Sequence, residues 1–375
     1  MPTAPASTSS LLDRERAWDE HLLVSRDDRQ AVAAGRPLAM AWSALAWTSG
    51  LTAGPAPLPS AERARGLALL ERPVFLCGVH RSGTTLLRNL LDDDPSLLVL
   101  PSEGGYYTGL GRQLAGLTDA EALGLVGPEW LRRLANPINQ PPYWVLGRSR
   151  DDGSPYVEFV RWLLAWWPVV REVLAPRARS WPIAAVALAY GSCRGGGRLA
   201  PEWRAWAEKT PTHEQHRRRL RADYPRARFV QVVRAPVEVY ASRRALELAT
   251  FGAFAARPAL KDLARSYRIA AAERTHPDYR VVRYEELLRA RAETMRGVAE
   301  FVGVDATPAL LAPTVAGIEA PSNSSFDRPR AAAALDADEL RRLADVVGPS
   351  ARAVGYALPA DEGWRSRARR FGYGF

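Results

Sequence analysis

Between residues 73 and 91 the chain passes from a short apolar run, Pro73-Val74-Phe75-Leu76-Cys77, through Gly78-Val79-His80-Arg81-Ser82-Gly83-Thr84-Thr85, into Leu86-Leu87-Arg88-Asn89-Leu90-Leu91. Apolar run, glycine-bounded turn and amphipathic run read as strand, loop and helix. The loop has the spacing of a phosphate-binding turn, G-x-x-x-x-G-K-[ST], with Thr84 in the lysine's place. Two glycines let the backbone curl so that several N–H groups face one anion, and the positive end of the helix dipole adds to them. The lysine that reaches the β and γ phosphates of a triphosphate is missing, which disfavours a metal–triphosphate ligand. Arg81, Ser82, Thr84 and Thr85 suit a smaller anion, held by hydroxyls, amides and one guanidinium fork.

The rest of the chain fits an α/β protein built around that unit. With 375 residues and 47% hydrophobic content it can bury a full core as one large domain. Cys77 and Cys193 are the only cysteines, too few for a disulfide framework or a four-cysteine zinc site, and a reduced, cytoplasmic setting is expected. Residues 1–10 read as a loose polar tail without the features of a leader. No run approaches the ~18 consecutive apolar residues of a membrane span, so no stable membrane anchor is expected. A formal charge of +10 admits acidic partners, but Arg217-Arg218-Arg219 and the arginines of 365–370 read as solvated faces without interleaved aromatics, and no nucleic-acid partner is expected. Of 51 basic side chains only Lys209 and Lys261 are lysine. A chain that otherwise writes positive charge as arginine makes each lysine informative.

Along the chain, helical spacing is expected over 11–35 and 61–71, packed as N-terminal helices (11–72) on a main domain spanning 73–375. Strands are expected at 97–100, 204–207, 228–233 and 280–284, alternating with helices, with a mostly helical stretch over 118–195 and a last helix over 336–347. Trp162, Trp166, Trp167 and Val170 mark an apolar helix face, read as core packing, although an acceptor pocket can be lined the same way. Strands alternating with helices give a central parallel sheet flanked by helices, with ligands at the carboxyl ends of the strands. Several polar residues fall at such ends: Glu103 after the second strand, Lys209-Thr210-Pro211 after the third and Arg234 after the fourth. Ser242 follows Arg234 by eight residues, about two helical turns. Two separated donors of this kind suit a second phosphate distant from the loop.

These residues carry a resemblance. The sequence is similar to the sulfotransferases that use 3′-phosphoadenosine 5′-phosphosulfate (PAPS), especially the branch with many bacterial enzymes and the protein-tyrosine sulfotransferases. Arg81-Ser82-Gly83-Thr84-Thr85 resembles the family's 5′-phosphosulfate loop, and Arg234 with Ser242 its 3′-phosphate pair. Lys209-Thr210-Pro211 resembles the segment of the catalytic lysine. Arg283-Tyr284-Glu285-Glu286-Leu287 resembles the stretch whose tyrosine lies near the nucleotide, and Asn323-Ser324-Ser325-Phe326 a loop that closes over the cosubstrate. The resemblance spans about residues 73–330. It implies a P-loop-containing α/β fold, PAPS as cosubstrate with no metal, Lys209 as the cation at the leaving group, Glu103 as general base, and Ser324 and Ser325 at the sulfonate or leaving phosphate. Asn323 and Tyr284 join the nucleotide-binding set. His80 and His213 are the alternative bases.

The protein-tyrosine branch is membrane-anchored and disulfide-bearing, features with no counterpart here, so a small-molecule, lipid or glycan acceptor is expected, its determinants within a helical insert at about 104–200. Two other classes stay open on the sequence: a small-molecule kinase using ATP and Mg²⁺, and a non-catalytic binder of polyanions or nucleic acid. Oligomeric state is not legible.

Overall fold

The computed structural model describes residues 28–135, 145–147, 154–319 and 335–358. The expected polar tail, the part of the expected helical stretch 11–35 that precedes residue 28, and the segment Asn323 to Phe326 lie outside the described residues. In chain order the elements are α1 (Asp28–Ala53), α2 (Ser60–Leu70), β1 (Pro73–Cys77), α3 (Thr84–Leu91), β2 (Leu97–Val99), α4 (Asp119–Ala135), α5 (Ser154–Leu174), α6 (Trp181–Arg194) and β3 (Ala205–Lys209). There follow α7 (Arg217–Asp223), β4 (Arg228–Val233), α8 (Pro236–Phe251), α9 (Ala256–Glu273), β5 (Tyr279–Arg283), α10 (Tyr284–Arg289), α11 (Arg291–Val302), β6 (Thr314–Val315), β7 (Ile318–Glu319) and α12 (Ala337–Arg352).

Five parallel strands form the central sheet in the order β2-β3-β1-β4-β5. Successive side chains of a strand point to opposite faces, and here both faces are buried, which is why β1, and β4 apart from Arg228 and Gln231, are apolar without alternation. Val74, Leu76, Ala205, Ala207, Val230 and Val232 pack on one side against α3 and α11. Phe75, Trp206, Phe229 and Tyr279 pack on the other, with α5 and α6. Phe75 pairs with Phe229 and Phe229 with Tyr279 across neighbouring strands, their rings 5.5 Å and 5.8 Å apart. This aromatic row, edged by Trp206 at 6.3 Å from Phe75, fixes the register of the sheet's middle. Beside it α6 is apolar all round and buried from Pro182 to Ser192. Trp162, Trp166, Trp167 and Val170 of α5 belong to the same core. The architecture is the P-loop-containing α/β fold expected from the sequence.

Several boundaries differ from the sequence reading. β3 runs on to Lys209 because Leu76 and Lys209 are still register partners. β5 stops at Arg283, opposite the last residue of β4, so Tyr284 opens α10 instead of closing the strand. α1 extends to Ala53, beyond the expected stop at 35, since Trp42 and Ala46 are buried in the core. α12 starts at Ala337, with Asp336 and Glu339 forming a capping box, and continues to Arg352.

Candidate active site

The strand order lines the polar residues up along one edge. At the carboxyl ends of β2, β3, β1, β4 and β5 stand, in that sequence, Glu103, Lys209, the loop at 78–85, Arg234 and Tyr284. The loop needs unusual backbone: Gly78, Arg81 and Gly83 have φ of +136°, +72° and +107°. A side chain on Gly78 would meet Val232 O at 2.4 Å, and one on Gly83 would meet the Tyr284 ring at 2.2 Å. Only glycine admits that approach at either position. Arg81 is an arginine in the left-handed region, at a cost on the order of 1 kcal/mol.

The loop is stitched to its neighbours on both sides. Gly78 N donates to Glu214 Oε2 at 3.0 Å, and Gly78 O accepts from Thr212 N at 2.8 Å. Arg81 Nε donates to Ser242 Oγ at 2.9 Å, and Arg234 Nη1 reaches Arg81 O at 3.4 Å. The Arg234 guanidinium lies 4.7 Å from the centre of the Tyr284 ring, a cation–π contact. Arg81, Arg234, Ser242 and Tyr284, far apart in sequence, thus form one cluster. Thr84 opens α3 and is buried, Thr85 is half-buried, and Ser82 is buried with its Oγ lacking a hydrogen-bond partner. An unpartnered hydroxyl beneath a turn at a helix N-terminus, flanked by two arginines, fits an anionic group.

On the other side of the loop, Lys209 Nζ lies 2.5 Å from Glu103 Oε1. Period two puts Lys209 on the sheet face of Ala205 and Ala207, which is the face of α3, the helix that follows the loop, and of α11. The ammonium is buried and its pKa is lowered, first by burial and then by the nearby Arg88, with Glu103 opposing both. Glu103 is partly exposed, its side chain retaining 43% of its accessible surface. A buried cation faces a carboxylate that solvent, or a substrate, can reach.

The alternative histidines are placed differently. His80 is exposed on the loop. His213 is buried, its Nδ1 3.0 Å from Glu208 Oε2 and its ring edge-on to Phe75. Glu208, Thr210, Glu214, Arg88 and Arg133 carry no role in the sequence reading, yet they hold the site's turns. The available signal is two adjacent charges, Glu208 and Lys209, at the end of a strand buried on both faces. Among the described residues no group of three or more His, Cys, Asp or Glu is arranged to hold a metal ion.

Residues 155–308 match the family model described as Sulfotransferase family. That stretch belongs to the sulfotransferase family. It contains Lys209, Arg234, Ser242 and Tyr284, while Glu103 and the 78–85 loop precede it and join it through β1 and β2. Among solved structures the chain is similar to the sulfotransferase domain of the Synechococcus PCC 7002 olefin synthase, at 19% identity over 81% of this chain and 99% of that one (TM-score 0.41). It is also similar to the sulfotransferase domain of the curacin biosynthetic pathway, at 17% identity over 76% and 98% (TM-score 0.43). A third is a sulfotransferase of Mycobacterium tuberculosis H37Rv, at 17% identity over 82% and 92% (TM-score 0.38). No curated protein matches the chain. No described helix is long and apolar enough to cross a membrane.

Proposed function

We propose that this chain transfers a sulfuryl group from PAPS to a hydroxyl, phenol or amine of a small-molecule, lipid or glycan acceptor, in the cytoplasm and without a metal. The observation that carries the reading is the order of the strand ends: carboxylate, lysine, anion loop, arginine, tyrosine. An acceptor's proton is taken at one end and a nucleotide is gripped at the other, with the transferring group between. Bound PAPS supplies the activated sulfuryl group. Arg81, Ser82, Gly83, Thr84 and Thr85 hold its 5′ side, and Arg234 and Ser242 its 3′-phosphate. Tyr284, packed on Gly83 and under Arg234, supports the base and both grips.

Lys209 is the cation for the leaving phosphate oxygen. An ammonium is a compact point charge that follows a bridging oxygen more readily than a planar fork does, and group transfer through a loose transition state depends mainly on such placed charges. Glu103 is the base that accepts the acceptor's proton. In the Lys209–Glu103 pair each charge neutralises the other; an acceptor hydroxyl donating to Glu103 and a phosphate oxygen accepting from Lys209 replace that contact with two. The helical stretch at 104–200, next to Glu103, is the region we assign to acceptor choice. Asn323, Ser324 and Ser325 complete the proposed nucleotide and sulfonate contacts from the segment outside the described residues.

The decisive experiment is thermal stabilisation by adenosine 3′,5′-bisphosphate set against ADP with Mg²⁺, followed by a mass-shift screen for sulfated alcohols, phenols and glycans. The bisphosphate is expected to raise Tm at concentrations where ADP with Mg²⁺ does not. Lys209→Ala should keep that stabilisation and lose turnover by roughly a thousandfold, the scale of one lost charge-stabilising group. A preference for ADP with Mg²⁺ would overturn the reading.

A further inference from the structure

Glu103 sits on a turn whose backbone is held at four points. Arg88, buried in α3, donates through Nη1 to Pro101 O. Arg133 of α4 donates through Nη1 to Glu103 O. Gly104 N donates to Glu208 Oε1 at 2.7 Å, and Gly105 N to Thr210 Oγ1 at 3.0 Å. The Thr210 hydroxyl in turn donates to the same Glu208 oxygen. Glu208 therefore holds both amides that follow Glu103, one directly and one through a hydroxyl.

Glu208 is next to Lys209 in β3, but the strand's period sends its side chain to the opposite face, beside His213 and the aromatic row. It is 1% exposed. A buried carboxylate is costly unless its lone pairs are used, and here they meet an amide, a hydroxyl and an imidazole. Gly104 is shaped to this contact: a Cβ there would come within 2.8 Å of Glu208 Oε1 and 2.9 Å of Ile183 Cγ2. Two neighbours in one strand thus hold the two ends of Glu103, Lys209 its carboxylate and Glu208 its backbone.

We propose that Glu208 is a positioning residue: through Gly104, Thr210 and Gly105 it fixes the turn so that the Glu103 carboxylate meets Lys209. It touches no reacting atom and acts through Glu103. The inference rests on the reading of Glu103 and Lys209 as the working pair, and its test has a readout independent of turnover.

With only two lysines in the chain, lysine-labelled protein gives two ammonium signals by NMR, told apart by Lys261→Arg. The charged groups around Lys209 are Glu103, Arg88 and Glu208, with the loop's His80 also within its electrostatic reach. Glu208→Ala should lower the Lys209 titration midpoint in the same direction as Glu103→Gln and by a comparable amount, because Glu103 drifts away. Glu208→Gln, which keeps an oxygen for Gly104 and Thr210, should change it far less. In a Glu103→Gln background, Glu208→Ala should add only the small direct effect of its own charge. Gly104→Ala breaks the same contact from the other side and should reproduce the displacement in a protein whose Glu208 is intact.

Equal displacement by Glu208→Ala with and without Glu103, or none in either Glu208→Ala or Gly104→Ala, overturns the proposal. Where sulfuryl transfer is measured, Glu208→Ala should lower kcat by about a hundredfold with KM for PAPS within about twofold, and Glu208→Gln should restore most of it. Absence of transfer in the unmodified chain, with the Lys209 displacement as expected, would count against the proposed reaction and leave the positioning role standing.

Discussion

Single residues set the chemistry through burial and neighbours. Lys209 is the clearest case: desolvation favours the neutral amine, and the Glu103 carboxylate holds the proton on. Since burial prevails, the alkaline limb of kcat/KM should fall below the ~10.4 of an ordinary lysine. Glu103→Gln removes the opposing charge, so the Lys209 midpoint should move lower still, read as the same NMR titration; a move upward would mean that Glu103 does not face Lys209. The loss of the proposed base should itself lower kcat by roughly 10²- to 10⁴-fold. Glu208 is the counter-example, a buried carboxyl held below the usual range. Burial alone would raise it, but His213 and the hydrogen bonds from Thr210 and Gly104 outweigh that. Glu214 shows the opposite balance: burial raises it and outweighs the lowering by the Ser266 hydroxyl, the Gly78 N–H and His213.

At the scale of elements, the junction of β1 and α3 depends on contacts with β4, β5 and the turn after β3. Gly83 shows this: its φ of +107° disfavours any L side chain, and its missing Cβ makes room for a ring from the start of α10. Gly83→Ala should therefore destabilise the fold by about 2–4 kcal/mol, from backbone strain and overpacking together. It should also displace Tyr284 from under Arg234, weakening stabilisation by adenosine 3′,5′-bisphosphate. Denaturant melts with and without the bisphosphate separate the two effects; an unchanged midpoint would show that the loop and α10 yield freely. The loop's glycines and helix were legible in sequence because they are local. That Gly83 is matched to Tyr284, 201 positions along the chain, was not, since it depends on β1 and β5 both flanking β4.

Over the whole molecule, α7, α9 and the turn that leads into β5 are joined by an ion-pair network at the end of the sheet remote from the site. Arg221 reaches Asp278 at 2.6 Å and Glu273 at 2.8 Å, and Arg217 reaches Glu273 at 2.5 Å. The Glu273 carboxyl is lowered: burial would raise it, and the hydrogen bonds from Arg221 and Arg217 prevail. A carboxyl lowered on folding binds fewer protons in the native state, so its contribution is complete above the unfolded value, ~4.3, and is lost as pH falls through the folded value. Arg221→Ala should cost about 1–2 kcal/mol at neutral pH and less in acid, because the network is already lost there. Urea melts at pH 7 and pH 3 check this; an equal loss at both would assign Arg221 a packing role through its stacking on Phe229.

The sequence by itself determined the parts of this protein whose physics is local. Strand-turn-helix patterning gave the loop, the buried strands gave a parallel sheet, and the replaced loop lysine with Lys209, one of only two lysines, pointed to a cation delivered from elsewhere. Only the tertiary structure decided that β3 lies between β2 and β1, which brings Lys209 to Glu103 and leaves both beside the loop. It alone shows that Glu208, one residue before Lys209, contacts the turn after Glu103 from the sheet's other face. Strand order and the partners of buried polar groups are set by packing over the whole core, and no window of neighbouring residues contains that information.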